Sequence, residues 1–398
     1  MAYAIGANDV ANAMGTSVGS RSMTLVQAVI VAAIFEFLGA WLVGGHVTRT
    51  IRGGILDPVV TAASLETLKL GMLAALTSAG TWLIIASRLG WPVSTTHSIV
   101  GAIAGFGIVA FGPEAVEGAK LLRIVSSWLI SPLISGTIAF LIIVQIRRSI
   151  LNHEDPIARM RRWAPAYGFA VVLAIGLITL LKGLKNLHLD FSLPAAIALS
   201  CGLGLVGAAL TRFFVNRIRV DPEAERDFHF ATVERMFGRL QILSACAIAF
   251  AHGSNDVANA IAPVAAILSA ESGVLEATAP VPPWLLLLGG AGIVVGLSTL
   301  GYRVMATIGE RITELTPSRG YAATFAAAIT IGVASRMGLP ISTTHTLVGA
   351  VLGVGLARGI GALDYRVVGT IAVSWIVTIP VGGALAVFFY YFYKGLLT

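Results

Sequence analysis

Apolar residues in this chain fall in long unbroken runs, with the polar residues gathered between them. The runs are Val26–Val47, Leu70–Ser87, Leu121–Ile146, Ala166–Leu181, Leu193–Leu210, Trp284–Val304 and Val367–Phe392. A helix needs about 20 apolar residues to cross the hydrocarbon core of a bilayer, and these runs reach or approach that length. The alternating segments of ~10 residues that mark a membrane β-barrel are missing. The pattern predicts an all-α polytopic membrane protein, several of whose helices cross the bilayer.

Composition agrees. The 398 residues are 56% hydrophobic and 12% charged, where a soluble domain carries roughly 25% charge. Mean hydropathy is +0.85. The net charge is +7, and two stretches are rich in arginine. One holds Arg147, Arg148, Arg159, Arg161 and Arg162; the other holds Arg212, Arg217, Arg219, Arg226, Arg235 and Arg239. Basic loops are what membrane topology requires, so no nucleic-acid partner is expected. Two apolar runs separate the stretches, which puts 147–162 and 212–239 on one side, the cytoplasmic side by the positive-inside rule. Met1 starts almost directly on a polar motif, with no basic segment before an apolar one, so no signal peptide is expected. Cys201 and Cys246 lie inside apolar runs and read as small core residues.

The chain repeats itself. Asn8-Asp9 of "NDVANA" recurs as Asn255-Asp256, 247 residues on, and "PVSTTHSIVGA" (92–102) recurs as "PISTTHTLVGA" (340–350), 248 residues on. Trp128 with Pro132 recurs as Trp375 with Pro380, and Arg88 as Arg336. Two matched motifs at one offset and in one order define two copies, 1–146 and 240–398, joined by a linker, 147–239, with two transmembrane helices. The first copy ends on the side where the second begins. An odd number of crossings in each then makes the copies inverted, the arrangement of many transporters, whose sites lie near the midplane where the repeats meet.

Each "P-[VI]-S-T-T-H" block reads as a broken helix and a new helix start. Proline forces the residue before it extended, and Ser94 or Ser342 two residues later is a good N-cap. At membrane depth the free N–H groups of a helix start need partners, and an anion suits both the N–H groups and the helix dipole. Ser94, Thr95 and Thr96, with Ser342, Thr343 and Thr344, are therefore the candidate anion site. His97 and His345 follow at once, as substrate contacts, proton relays or structural rings. In the other block, Asp9 and Asn12 stand three positions apart, as do Asp256 and Asn259, which puts carboxylate and amide on one helix face. With Asn8 and Asn255 these offer hard oxygen ligands for a cation such as Na⁺. An intramembrane acid is expensive and functional by default; Glu36, mid-run and without an acidic twin, is a further candidate. Neither motif contains Lys or Arg. An anion beside two ionised aspartates in low dielectric needs compensation, so bound cations, or protons on the aspartates, are expected to travel with it. Arg88 and Arg336, placed as helix-end anchors in such a layout, are the other candidate positive charges.

These residues resemble the PiT family of inorganic phosphate transporters. The resemblance rests on the twin blocks Gly6–Ala13 and Gly253–Ala260, the twin "P-[VI]-S-T-T-H" blocks and Glu36. It implies an inverted-repeat fold with broken helices or re-entrant segments, phosphate uptake across a plasma membrane coupled to Na⁺ or H⁺, no enzyme cofactor and a homodimer as a candidate assembly. The lead before Gly6 is shorter than the family's, and the large hydrophilic domain of some animal relatives is missing. Four functions are weighed. The leading one is a Na⁺-coupled phosphate symporter. Proton coupling, or sulfate as cargo, is the alternative within transport. An intramembrane Ser/Thr-His-Asp hydrolase fits poorly, because the groups come in symmetric pairs and a reaction centre needs one nucleophile with one base. An anion channel would not call for acids at the site.

Overall fold

The computed structural model describes residues 1–62, 64–182, 191–219, 226–271, 281–305, 314–359, 361 and 363–397. Its principal helices are α1 (Ala2–Gly19), α2 (Leu25–Val43), α3 (Gly45–Gly54), α4 (Pro58–Thr61), α5 (Leu65–Leu89), α6 (Thr95–Phe111) and α7 (Gly118–Ile146) in the first copy. The linker supplies α8 (Pro156–Lys182) and α9 (Leu193–Asn216). The second copy has α10 (Arg226–Glu271), α11 (Pro283–Leu300), α12 (Pro317–Arg336), α13 (Thr343–Leu356) and α14 (Tyr365–Leu397). Among the described residues the only β-pairing is an isolated bridge between Leu56 and Val116. Among the described residues, seven helices (α2, α5, α7, α8, α9, α11 and α14) are long and apolar enough to span a membrane, and they coincide with the seven apolar runs.

One expectation needs correcting. The arginine-rich stretches are largely helix ends rather than loops. Arg159, Arg161 and Arg162 ride on α8, Arg212 on α9, and Arg226, Arg235 and Arg239 on α10. The helices outlast their apolar windows because a long basic side chain can keep its head in water while its stem stays on the helix. α10 is one helix of 46 residues and runs through residue 240. Both "NDVANA" blocks lie inside unbroken helices, α1 and α10, so the asparagines and aspartates are held by helical spacing and not by unwound backbone.

The proline breaks form as the sequence predicts. α5 ends at Gly90 in the left-handed region (φ 69) and α12 at Gly338 (also φ 69), a conformation glycine adopts without a Cβ clash. The N–H groups of Trp91 and Leu339 each return to a carbonyl five residues back, Ala86 and Ala334, at 2.9 Å. After the proline, Ser94 caps α6 by accepting from the His97 N–H, and Ser342 caps α13 by accepting from the His345 N–H, each at 3.2 Å. Each copy thus carries a helical hairpin, α5–α6 or α12–α13, with its break at the tip.

The hairpins are exchanged between copies. α6 lies along α14, where Ser98 O approaches Gly382 and Ile379 O approaches Gly101, and Ser78 Oγ of α5 donates to Gly382 O at 2.7 Å. α13 lies along α7 in the same way, with Gly349 against Pro132 and Gly353 against Gly136. The imidazoles of His97 and His345 touch, ring centroids 4.4 Å apart, so the two short helices begin at one place.

The motif helices pack as tightly. A methyl group at Gly6 would run into the Ile293 carbonyl of α11, and one at Gly253 into the Glu36 carbonyl of α2. Backbone-to-backbone approach of this kind is how membrane helices associate through small residues. Gly253→Ala is expected to cost about 1–3 kcal/mol by overpacking, read as a lower melting midpoint in detergent. An unshifted melt would mean that the α2–α10 contact is looser than described.

Candidate functional site

The site forms where α1 and α10 meet the two hairpin tips. Asp9 and Asp256, 247 residues apart in the chain, are both buried. Together with His252 each presents a ligand atom, all within 4.8 Å of one another.

The asparagines ahead of the aspartates hold the tips. Asn8 Nδ2 donates to Ser87 Oγ (3.1 Å) and to the Trp91 carbonyl (3.0 Å), and its oxygen accepts from the Val93 N–H at 3.3 Å. Asn255 repeats this on Ser335 Oγ (3.0 Å) and the Leu339 carbonyl (3.3 Å). Each amide therefore closes the turn of its own copy's hairpin. Both N–H donors of Asn8 are used in that clamp, a role the ligand reading of the sequence did not give it.

The threonines turn toward the aspartates. Thr344 donates to Asp9 Oδ1 and Thr343 to Asp256 Oδ2, each at 2.9 Å. The Thr95 hydroxyl also bonds Asp9. Thr96 donates to the Ile341 carbonyl (3.0 Å), and Asn259 Nδ2 donates to Thr95 and Thr96 at 3.3 Å each. These hydroxyls, read from the sequence as donors to an anion, here tie the helix starts to carboxylates. Thr344 and Asp9 belong to different copies, so the bond crosses between repeats. The side chain of Asn12 lies outside the described residues; its twin Asn259 is buried.

Polar atoms are left over, and their chemistry is informative. Asp256 Oδ1, Asn255 Oδ1 and Asn259 Oδ1 are buried without a hydrogen-bond donor. Buried acceptors normally find a partner. Three unpaired oxygens of carboxylate and amide type are what a hard cation takes as ligands.

The sequence reading missed His252. Its Nε2 lies 3.0 Å from Asp256 Oδ2 and its Nδ1 lies 3.2 Å from Glu36 Oε1, with all three side chains fully buried. A ring with a carboxylate oxygen beside each nitrogen would serve both with hydrogen on both, the imidazolium form. So protonated, His252 would be the positive charge that the sequence reading sought in arginine. Arg88 and Arg336 are both exposed, in the last turns of α5 and α12, outside this buried cluster. A signal for His252 was present: it precedes Asp256 by four positions, one helical turn. Comparing the copies sharpens it. Gly253 packs on Glu36 as Gly6 packs on Ile293, so where the second contact carries His252 and Glu36, the first carries Ile5 and Ile293, both buried. The two halves of the site therefore differ in charge.

His97 and His345 sit behind the helix starts. Nδ1 of His97 lies 3.2 Å from the Trp375 carbonyl and Nδ1 of His345 lies 3.3 Å from the Trp128 carbonyl. Since a carbonyl only accepts, each Nδ1 carries the hydrogen. His97 packs on Trp128 and His345 stacks on Trp375, centroids 3.8 and 3.6 Å apart. These contacts fix the rings and lock each hairpin to the other copy's last helix.

Known proteins resemble this chain along its whole length. A family model described as "Phosphate transporter family" matches residues 5–386. A Haemophilus influenzae protein named "Putative phosphate permease" is 46% identical over 393 residues, covering 98% of this chain and 93% of that one. The Arabidopsis thaliana protein "Inorganic phosphate transporter 2-1, chloroplastic" is 44% identical over 424 residues, covering 100% of this chain and 71% of that one. A solved structure described as "The sodium-dependent phosphate transporter" superposes with a TM-score of 0.92 at 40% identity, covering 100% of this chain and 97% of that chain.

Proposed function

We propose, because this chain belongs to the phosphate transporter family, that it imports phosphate by Na⁺ symport through alternating access. Phosphate transport itself follows from the membership, and the hydrolase reading falls away with it. Coupling to Na⁺ is the finer step. Its support is one observation: the two duplicated aspartates meet in a buried cluster with His252, and Glu36 lies against the other nitrogen of that ring. A phosphate would add negative charge to a low-dielectric site already built from acidic side chains. Small cations on the unpaired oxygens of Asp256, Asn255 and Asn259 would balance that charge and bind together with the anion. The likeness to a solved sodium-dependent phosphate transporter supports Na⁺ over H⁺.

In this reading phosphate meets the helix starts of α6 and α13, at Ser94–Thr96 and Ser342–Thr344. The threonine hydroxyls exchange their carboxylate partners for phosphate oxygens once cations sit on Asp9 and Asp256. The two copies are inverted in the membrane, and each hairpin moves with the other copy's closing helix, α14 or α7. The arginine-bearing ends of α7, α8, α9 and α10 face the cytoplasm.

Proteoliposomes test the coupling. Labelled phosphate should accumulate under an inward Na⁺ gradient and not under an inward H⁺ gradient, and excess sulfate should not compete. Uptake driven by H⁺ alone would overturn the choice of ion, and efficient competition by sulfate would overturn the choice of anion. Thr343→Val removes the hydroxyl that would donate to a phosphate oxygen, a hydrogen bond to a charged group worth about 1.5–3 kcal/mol. Na⁺-dependent phosphate affinity is expected to fall by roughly tenfold or more; an unchanged binding isotherm would take the helix start of α13 out of the site.

A further inference from the structure

Away from the aspartate cluster, three guanidinium groups gather around one cavity of about 290 Å³ lined by Ile143, Arg147, Leu151, Asn152, Glu234 and Ser318 together with Arg319, Ala357 and Arg358. They come from three places. Arg147 follows the end of α7, Arg319 lies in the first turn of α12, and Arg358 lies just past the end of α13. The two legs of the second hairpin and the last helix of the first copy therefore meet here.

Among the described residues the charges in the cavity are unbalanced. Both oxygens of Glu234 are already committed to Ser318, one to its N–H (2.8 Å) and one to its hydroxyl (2.7 Å), where they cap the start of α12. Glu314 is the other nearby acid among those residues. Its carboxylate lies 3.3 Å from Arg358 and 3.9 Å from Arg319, with its side chain 77% exposed. Arg147 bonds backbone, with Nη1 donating to the Ala357 carbonyl at 2.6 Å. Arg319 sits in the field of both Arg147 and Arg358. Like charges brought together around a hollow repel, and the planar forks of arginine match the oxygens of a phosphate group two at a time.

We infer that this cavity binds a phosphate group, as the free ion or as the phosphomonoester headgroup of an anionic lipid. Ile143 and Leu151 form an apolar wall beside the guanidiniums, which suits the carbon side of an ester. Cations have no part in this binding, because arginine supplies the charge that the aspartate cluster must take from bound ions. An anion held here cross-links both legs of the second hairpin to the first copy.

That difference in cation requirement gives the test. Phosphate binding to the purified, delipidated protein is measured by calorimetry in choline buffer and again in Na⁺ buffer. Binding without Na⁺ is expected in the native chain and in the Asp9→Asn/Asp256→Asn variant, and is expected to weaken at least tenfold in Arg319→Gln/Arg358→Gln. That arginine variant should keep its Na⁺-dependent binding, which shows that it is folded and separates this site from the transport reading. Native protein that binds no phosphate in choline buffer would overturn the proposal, as would Na⁺-independent binding that survives the arginine substitutions. Nanodiscs containing phosphatidic acid identify the source. Displacement of bound phosphate there, and not in phosphatidylcholine discs, assigns the cavity to a lipid headgroup; retention in both assigns it to the free ion.

Discussion

Asp9→Asn is expected to abolish Na⁺-driven phosphate uptake while leaving the protein inserted and folded. The substitution keeps the shape of the side chain and an oxygen to accept from Thr344, which bonds Asp9 at 2.9 Å, but removes the charge a cation would sit on. Removing one member of a buried, hydrogen-bonded charge pair costs about 2–5 kcal/mol, which is roughly 30- to 5,000-fold in affinity. Asp256→Asn is expected to act in the same direction, because Asp256 Oδ1 is one of the unpaired oxygens assigned to the cation. Initial rates of labelled phosphate uptake, measured against a Na⁺ concentration series in proteoliposomes, check both. Near-normal Na⁺-dependent rates in the two variants would remove the aspartates from the cation site.

His252→Ala should be the most destabilising single change in the buried cluster. It leaves Glu36 and Asp256, 3.2 and 3.0 Å from the ring nitrogens, without the cation between them. Breaking a buried ion pair by deleting one partner costs about 3–5 kcal/mol, because the remaining charge is stranded. The melting midpoint in detergent should drop, and Na⁺ should restore part of it by binding the stranded acids. Adding Glu36→Gln to His252→Ala should recover stability, since residues in one network do not act additively. A single variant that melts like the native chain, or a double variant whose losses simply sum, would show that the three side chains are not coupled.

Much of this architecture was legible in the residues alone. Run length gave the spanning helices, because crossing a bilayer is a requirement on consecutive residues. The Pro–Ser–Thr–Thr blocks gave the helix breaks and their caps, because capping acts within one turn. Asp256 and Asn259 were placed on one face by helical periodicity, and the duplication paired every motif with its twin. The ends of helices were less legible: α10 begins at Arg226, where charged residues look like loop until a helix is seen to carry them.

The partners of the polar groups were not legible. Asn8 closes a hairpin turn at Trp91, Thr344 of one copy bonds Asp9 of the other, and Glu36 finds His252 on a helix more than 200 residues away. The twin motifs implied two equal half-sites, whereas Ile5 and Ile293 fill in one half the contact that His252 and Glu36 make ionic in the other. Spacing rules act over one helical turn and fix which residues share a face. Which faces then meet depends on close backbone approach between distant helices, at Gly6 and Gly253 above all, and that packing sets which charges share a site.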